Sequence, residues 1–271
     1  MWQRIQTAII LVAIVGVAMF AFDSPYPFLA LLLVGNAIAS NEWTKLLPKT
    51  AEKATGFSSP AVFVPVNVII SLVTLGLFLV MSMWWTVLPW WILSVLIWLM
   101  AISWVGKFPS EVIAIGIILL TSAMSAMFYL WSQSPWWLMY VFILVWCADS
   151  GAYFVGRKFG KKKMAPNVSP NKSMEGLYGG LATGLIAVLL VSFIKLKYPP
   201  AQLLYFLVLS AITIVASVFG DLFESMLKRQ AGVKDSGTIL PGHGGVLDRI
   251  DSLLSATPIF ALGFWGMQQL F

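Results

Sequence analysis

Charge is scarce in this chain. Lys, Arg, Asp and Glu make up 10% of its 271 residues, against about 25% in an ordinary soluble domain. Cysteine is nearly absent as well: Cys147 is alone, so no internal disulfide can form and the redox compartment is left unread. No internal repeat and no low-complexity tract occurs. What fills the chain is apolar, at 59%, where about 45–50% is usual. A single soluble core cannot hide so much apolar surface, because cores stop growing near roughly 250–300 residues. A soluble globular enzyme, a disordered chain and a collagen-like chain are excluded together, and a multi-spanning membrane protein remains. The net charge of +6 would point to nucleic acid in a soluble protein. Here it reflects Lys and Arg gathered on one side of a bilayer, and no nucleic-acid partner is expected.

A helix crossing the ~30 Å hydrocarbon layer needs about 20 mostly apolar residues. Runs of this kind lie at 5–22, 28–47, 60–81, 85–105, 112–131, 136–155, 177–194, 203–220 and 253–270. The expected fold is therefore all-α, a polytopic membrane helix bundle with about nine transmembrane helices. Trp84, Trp85, Trp90, Trp91, Trp136 and Trp137 cluster at run ends, where amphipathic rings favour the interface. Arg4 precedes the first run as in a signal peptide. No small-x-small cleavage site follows, so the run is read as retained. A cytoplasmic N-terminus places Arg4, Lys45, Lys49, Lys53, Lys107, Arg157, Lys158, Lys161, Lys162, Lys163, Lys172, Lys228, Arg229, Lys234 and Arg249 inside. Only Lys195 and Lys197 of the 17 basic residues then lie outside, as the positive-inside rule requires.

Chemistry is unevenly spread. Residues 1–134 hold spans and short loops with little chemistry, whereas 135–271 are expected to form the catalytic half, with inner loops at 157–176 and 221–252 that carry most of the charge. The densest stretch ends at Asp251. Asp221, Glu224, Ser225 and Lys228 recur at i, i+3, i+4 and i+7, on one face of a helix continuing the eighth span. Asp248 and Asp251 share a face where the ninth span begins. Between them lies a Gly- and Pro-rich loop with His243, Gly244 and Gly245. Glycines let backbone N–H groups approach an anion, and the following helix N-terminus adds a favourable dipole. Carboxylates on two helix ends, with Lys228, Arg229, Lys234 and Arg249 between, suit a nucleoside triphosphate and Mg2+. That ion takes one or two carboxylates and completes its shell with phosphate oxygens. The bland alternative, a solvated loop with surface ion pairs, is disfavoured because acids beside hydrocarbon are costly and usually functional.

Two further stretches carry polar groups. Asp149 lies inside the sixth span, about 12 Å along the helix from Arg157, and shares a face with Tyr153 and Gly156. A metal, a lysine, a substrate hydroxyl or a helix–helix hydrogen bond would each satisfy it. Ser169–Gly176 leads into the seventh span, where Ser173 or Asn171 caps the helix and Lys172 sits near its start. His243, the one histidine, is read either as a proton shuttle or phosphate ligand, or as a loop residue bonded to backbone. Glu42, with Asn36 and Asn41, lies late in the second span and is read either as reaching the headgroup region or as snorkelling at the interface. Lys161, Lys162 and Lys163 are assigned to anionic lipid head groups.

The stretch from Ser225 to Asp251 resembles the signature of the CDP-diacylglycerol synthase (phosphatidate cytidylyltransferase) family. That signature reads Ser-x-apolar-Lys-Arg, four residues, Lys-Asp, and later His-Gly-Gly-apolar-x-Asp-Arg-apolar-Asp, and every fixed position is met. The 149–161 and 169–176 stretches are also similar to the family, while the first half agrees only in being hydrophobic. The resemblance implies that phosphatidic acid and CTP give CDP-diacylglycerol and pyrophosphate at the cytoplasmic face of a bacterial-type inner membrane. It implies Asp221 and Asp248 as metal ligands for Mg2+, with Asp251 and Glu224 in support. Lys228, Arg229, Lys234 and Arg249 would hold phosphates, and Asp149, Lys172, Ser173, Ser225, His243, Gly244 and Gly245 would bind substrate. Membrane lipids and a second copy, as a homodimer, complete the expected partners. A CTP-dependent polyprenol or phytol kinase is the alternative enzyme. An ion-coupled transporter is disfavoured because the charges cluster at one face and not at the midplane.

Overall fold

The computed structural model describes residues 2–47, 59–81, 84–101 and 112–271. Lys49, Lys53, Lys107 and the 102–105 end of the fourth expected span lie outside the described residues. Nine α-helices occur among the described residues: α1 Trp2–Phe20, α2 Tyr26–Lys45, α3 Pro60–Met81, α4 Leu88–Ala101, α5 Val112–Gln133, α6 Pro135–Phe159, α7 Met174–Val191, α8 Pro200–Gln230 and α9 Leu247–Leu270. Proline starts several of them, because the first turn needs no N–H from the ring nitrogen and φ is already helical. Pro135 opens α6 behind Ser134, whose hydroxyl accepts the Trp136 N–H at 3.3 Å.

Among the described residues six helices are long and apolar enough to cross a membrane: α3, α5, α6, α7 with its π-helical extension Ser192–Leu196, α8 and α9. The nine runs of the sequence thus become nine helices of unequal reach. α1 and α4 carry shorter apolar runs, and α2 buries Asn36, Ser40 and Glu42. Exposed Ile5, Ile9, Ile10, Val12 and Ile14 on α1 give this membrane protein an apolar outer face suited to lipid.

Two expected loops are more ordered than the sequence suggested. α6 runs on to Phe159, and the 157–176 segment forms an antiparallel hairpin of β1 Lys163–Ala165 and β2 Ser169–Ser173. Helix α8 continues through 221–230, so that part of the 221–252 segment is helical. At about 1.5 Å per residue its 31 residues outreach a ~30 Å hydrocarbon layer, which carries the last turns beyond it.

Small residues set the packing of the second half. A Cβ on Gly180 would lie 2.7 Å from Ala148 O, and one on Gly176 3.0 Å from Ala152 O, so α6 and α7 touch backbone to backbone. Gly220 brings α8 equally close to α9, where its Cβ would meet Asp251 O at 2.6 Å. Residues on both sides of position 134 share a core. Trp43, Trp98 and Leu119 of the first half pack in one cluster with Phe223, Leu227 and Leu247 of the second.

These crossings put one set of helix ends together. The start of α1, the ends of α2, α6 and α8, and the starts of α7 and α9 all meet at the same end of the bundle. Thr7 Oγ1 of α1 donates to Pro241 O at 3.0 Å there. At the opposite end Tyr129 of α5 donates to Gln268 of α9 at 2.9 Å.

Candidate active site

The helical spacing of α8 builds the site's first wall. Ser225 Oγ donates to Asp221 Oδ1 at 3.2 Å, one turn apart, and Lys228 pairs with Glu224 across the next turn. Lys228 then reaches α9, where its Nζ lies 2.7 Å from Asp248 Oδ1. From the hairpin, Lys172 Nζ lies 2.5 Å from Asp221 Oδ2. Asp149 of α6 stands within electrostatic range of Lys172 and Asp221, and Asp251 within range of Asp221 and Lys228. Five carboxylates therefore surround two lysines, which leaves an excess of negative charge at the edge of an apolar bundle.

Asp248 is held hardest. Its Oδ2 accepts the Ser236 N–H and the Ser236 hydroxyl, both at 2.9 Å, and the Gly245 N–H at 2.8 Å. This carboxylate belongs to the first turn of α9 and reaches back to N–H groups before it, as a capping acid does. The preceding loop is shaped by glycine. In Leu240-Pro241-Gly242-His243, the His243 N–H donates to Leu240 O at 2.9 Å and Gly242 has φ +74°. Proline then glycine at the two central positions is the type II pattern. Gly244 follows at φ +81°, where a Cβ would lie 2.5 Å from Asp248 Oδ2.

The N–H groups expected to cradle a phosphate hold carboxylates of the chain itself. Gly245 serves Asp248, while Val246 N and Leu247 N donate to Glu42 at 3.1 and 2.7 Å. Glu42 is 2% exposed, which corrects the snorkelling expectation: its acceptor oxygens are used by the start of α9, and reaching outward would orphan those donors. The apolar run around it hid this partnership, and the only available signal was a carboxylate late in an apolar span. Ser236 and Glu175 were also missed. Glu175 accepts the Lys161 N–H at 3.0 Å and pins the hairpin to α7.

Ser173 does cap α7, accepting the Gly176 N–H at 3.2 Å. His243 Nδ1 is buried without a hydrogen-bond partner, so neither reading of the histidine is decided by contacts. Arg229, Lys234 and Arg249 are exposed at the rim, and among the described residues none of them is in an ion pair. They are among the exposed cations open to an incoming anion.

The donors were tested for a divalent ion. Glu224 Oε1 is buried without a hydrogen bond, and the excess of carboxylates favours a cation. Among the described residues no three His, Cys, Asp or Glu side chains converge closely enough to hold a metal alone. Mg2+ commonly takes one or two carboxylates and borrows the rest from phosphates and water, so it would not need such a trio. Glu224 and Asp251 offer such oxygens, and Asp221 would do so by sharing or releasing Lys172 or Ser225. Asp248, expected as a leading ligand, has Oδ2 fully engaged and could meet a metal only through Oδ1, by sharing or releasing Lys228.

A sequence model of the Cytidylyltransferase family matches residues 2–265. Over 128 residues the chain is 56% identical to a phosphatidate cytidylyltransferase of Haemophilus influenzae, covering 45% of this chain and 43% of the relative. Over 126 residues it is 53% identical to that of Pseudomonas aeruginosa, covering 46% of each. Over 119 residues it is 48% identical to that of Bacillus subtilis, covering 44% of each. The matched stretches thus span less than half the length of these curated relatives.

Proposed function

The chain belongs to the Cytidylyltransferase family, and from that premise we propose that it transfers a cytidylyl group from CTP to phosphatidic acid, releasing pyrophosphate. The observation that carries this reading is the carboxylate–lysine cluster at one end of an apolar bundle, with unpaired cations around its rim. A phosphate oxygen of phosphatidic acid attacks the α-phosphorus of CTP, forming one P–O bond as the bond to the pyrophosphate oxygen breaks. No protein nucleophile is required.

Both reactants are anions, so the chain's own work is to bring them together against their repulsion. Arg229, Lys234 and Arg249 hold the triphosphate and the lipid phosphate at the rim. Lys172 and Lys228 hold the acids of α8 and α9 in register and keep positive charge beside the reacting phosphates. Asp221, Glu224 and Asp251 would hold Mg2+, which when bound neutralises the leaving pyrophosphate. The lipid reaches the cluster sideways from the bilayer. The gathering of basic residues at this end supports a cytoplasmic site and N-terminus, in a bacterial inner membrane.

The test is a purified-protein assay with phosphatidate, each of the four nucleoside triphosphates and titrated Mg2+. Cytidine label entering the lipid with CTP alone supports the reading. Transfer of only the γ-phosphate would make the protein a lipid kinase and overturn it.

A further inference from the structure

We propose that Glu42 is a positioning residue for the active site: it acts through Asp248 by fixing the loop and helix start that aim it. This rests on the reading of Asp248 as part of the catalytic cluster.

Glu42 is an acid 2% exposed, and none of the ion pairs among the described residues involves it. A buried carboxylate without a cation is costly unless hydrogen bonds replace its water. Its bonds come from one place. Val246 N and Leu247 N are the residues just before Asp248, and Ser236 Oγ lies 3.4 Å from Glu42 Oε2 while donating to Asp248 Oδ2 at 2.9 Å. The two acids thus grip one loop from opposite sides, with Ser236 between them.

The loop is cut to fit this side chain. A Cβ on Gly237 would lie 2.3 Å from Glu42 Oε1, and one on Gly245 2.5 Å from its carboxylate carbon. Real Cβ atoms do not approach that closely, so both positions are glycine because Glu42 fills the space. On its other side Glu42 stands on a rigid base. Asn36 and Ser40 of α2 are bonded to Asn67 and Ser71 of α3, and Trp43 is buried against Phe223 of α8. The polar residues of the first half therefore have a task in the second: they hold α2 where its last turn seats α9.

The test compares turnover per folded molecule. Glu42→Gln places an amide N–H₂ against backbone donors, and kcat falls about 10-fold or more while KM for CTP stays within about twofold. Hydrogen exchange at Val246 and Leu247 quickens, with α6 and α7 unchanged. A double-mutant cycle sharpens this. Gly237→Ala alone is damaging, but in a Glu42→Ala background, where the space is vacated, it adds less than about a twofold loss.

Penalties that multiply, or an unaltered kcat in Glu42→Gln, overturn the proposal. If Glu42→Gln gives no monodisperse protein, Gly237→Ala reaches the same contact from the loop, and wild-type kcat in that variant overturns it equally. Absence of turnover in the wild-type protein would defeat the proposed function instead, and the exchange measurement would still report on the loop.

Discussion

Two polar clusters lie within this apolar bundle, one buried and one partly open, and they are built on opposite principles. The first ties α2, α3 and α5 with neutral groups. Asn67 Nδ2 donates to Asn36 Oδ1 at 3.1 Å and Ser40 Oγ at 2.7 Å, Asn36 Nδ2 donates to Ser71 Oγ at 2.9 Å, and Thr121 Oγ1 donates to Asn67 Oδ1 at 3.1 Å. Each member finds its partner inside the cluster. The second, where α6 to α9 meet, has five acids around two lysines, an unbonded Glu224 Oε1 and nearby exposed cations in no ion pair among the described residues. A closed neutral network holds helices together and has nothing to offer a ligand. An open, charged one is costly to keep, and a ligand that supplies the missing partners repays that cost.

The contrast breaks first at the acids. Asp221→Asn should abolish turnover at any Mg2+ concentration. Asp248→Asn should also abolish turnover, because the amide cannot accept from Lys228 and three other donors together. A near-normal rate in either variant, measured with labelled CTP, would make the second cluster as structural as the first. Next in size is Lys228→Met. It leaves Glu224 and Asp248 facing each other without a cation, and breaking such a pair typically costs about 3–5 kcal/mol. A marked fall in melting temperature in detergent, together with lost activity, is expected, and Mg2+ should restore part of the melting temperature.

Why one cluster was legible in the sequence and the other was not follows from the same contrast. Asp221, Glu224, Ser225 and Lys228 stand out because charge within apolar spans is rare and because i, i+4 spacing is read directly from the chain. The helices themselves were legible for a similar reason, as apolar runs of the right length. Asn36, Ser40, Asn67, Ser71 and Thr121 come from three helices, and nothing in their local spacing says which will meet. Glu42 failed for both reasons: its partners lie 204 and 205 residues away, and they are backbone N–H groups, which have no side-chain identity to notice. The hairpin at 163–173 was missed because Lys-rich residues have weak strand preference; it is Glu175 and the Lys172–Asp221 pair that pin it.

The neutral cluster can be sharpened with Asn67→Leu. This leaves Asn36, Ser40 and Thr121 with unmet groups in a dry interior, at about 1–3 kcal/mol for each group left unsatisfied. The melting temperature should fall while kcat per folded molecule changes little, provided α2 keeps its seat. A loss of kcat larger than the loss of folded protein would show that the two clusters are one device, joined through Glu42.

The smallest effect is expected at Lys161→Gln. The Lys161 side chain is exposed, and the hairpin depends on its backbone N–H, which donates to Glu175 and survives the substitution. An ammonium in that position attracts anionic lipid head groups at about 1 kcal/mol per charge, within a screening length of about 8 Å at physiological salt. At saturating CTP the rate should therefore hold, and any deficit should show only at low ionic strength on anionic vesicles. A large loss at saturating CTP and high salt would place the lysine run inside the open cluster, and the count of cations available to the triphosphate would have to grow from three at the rim to include it.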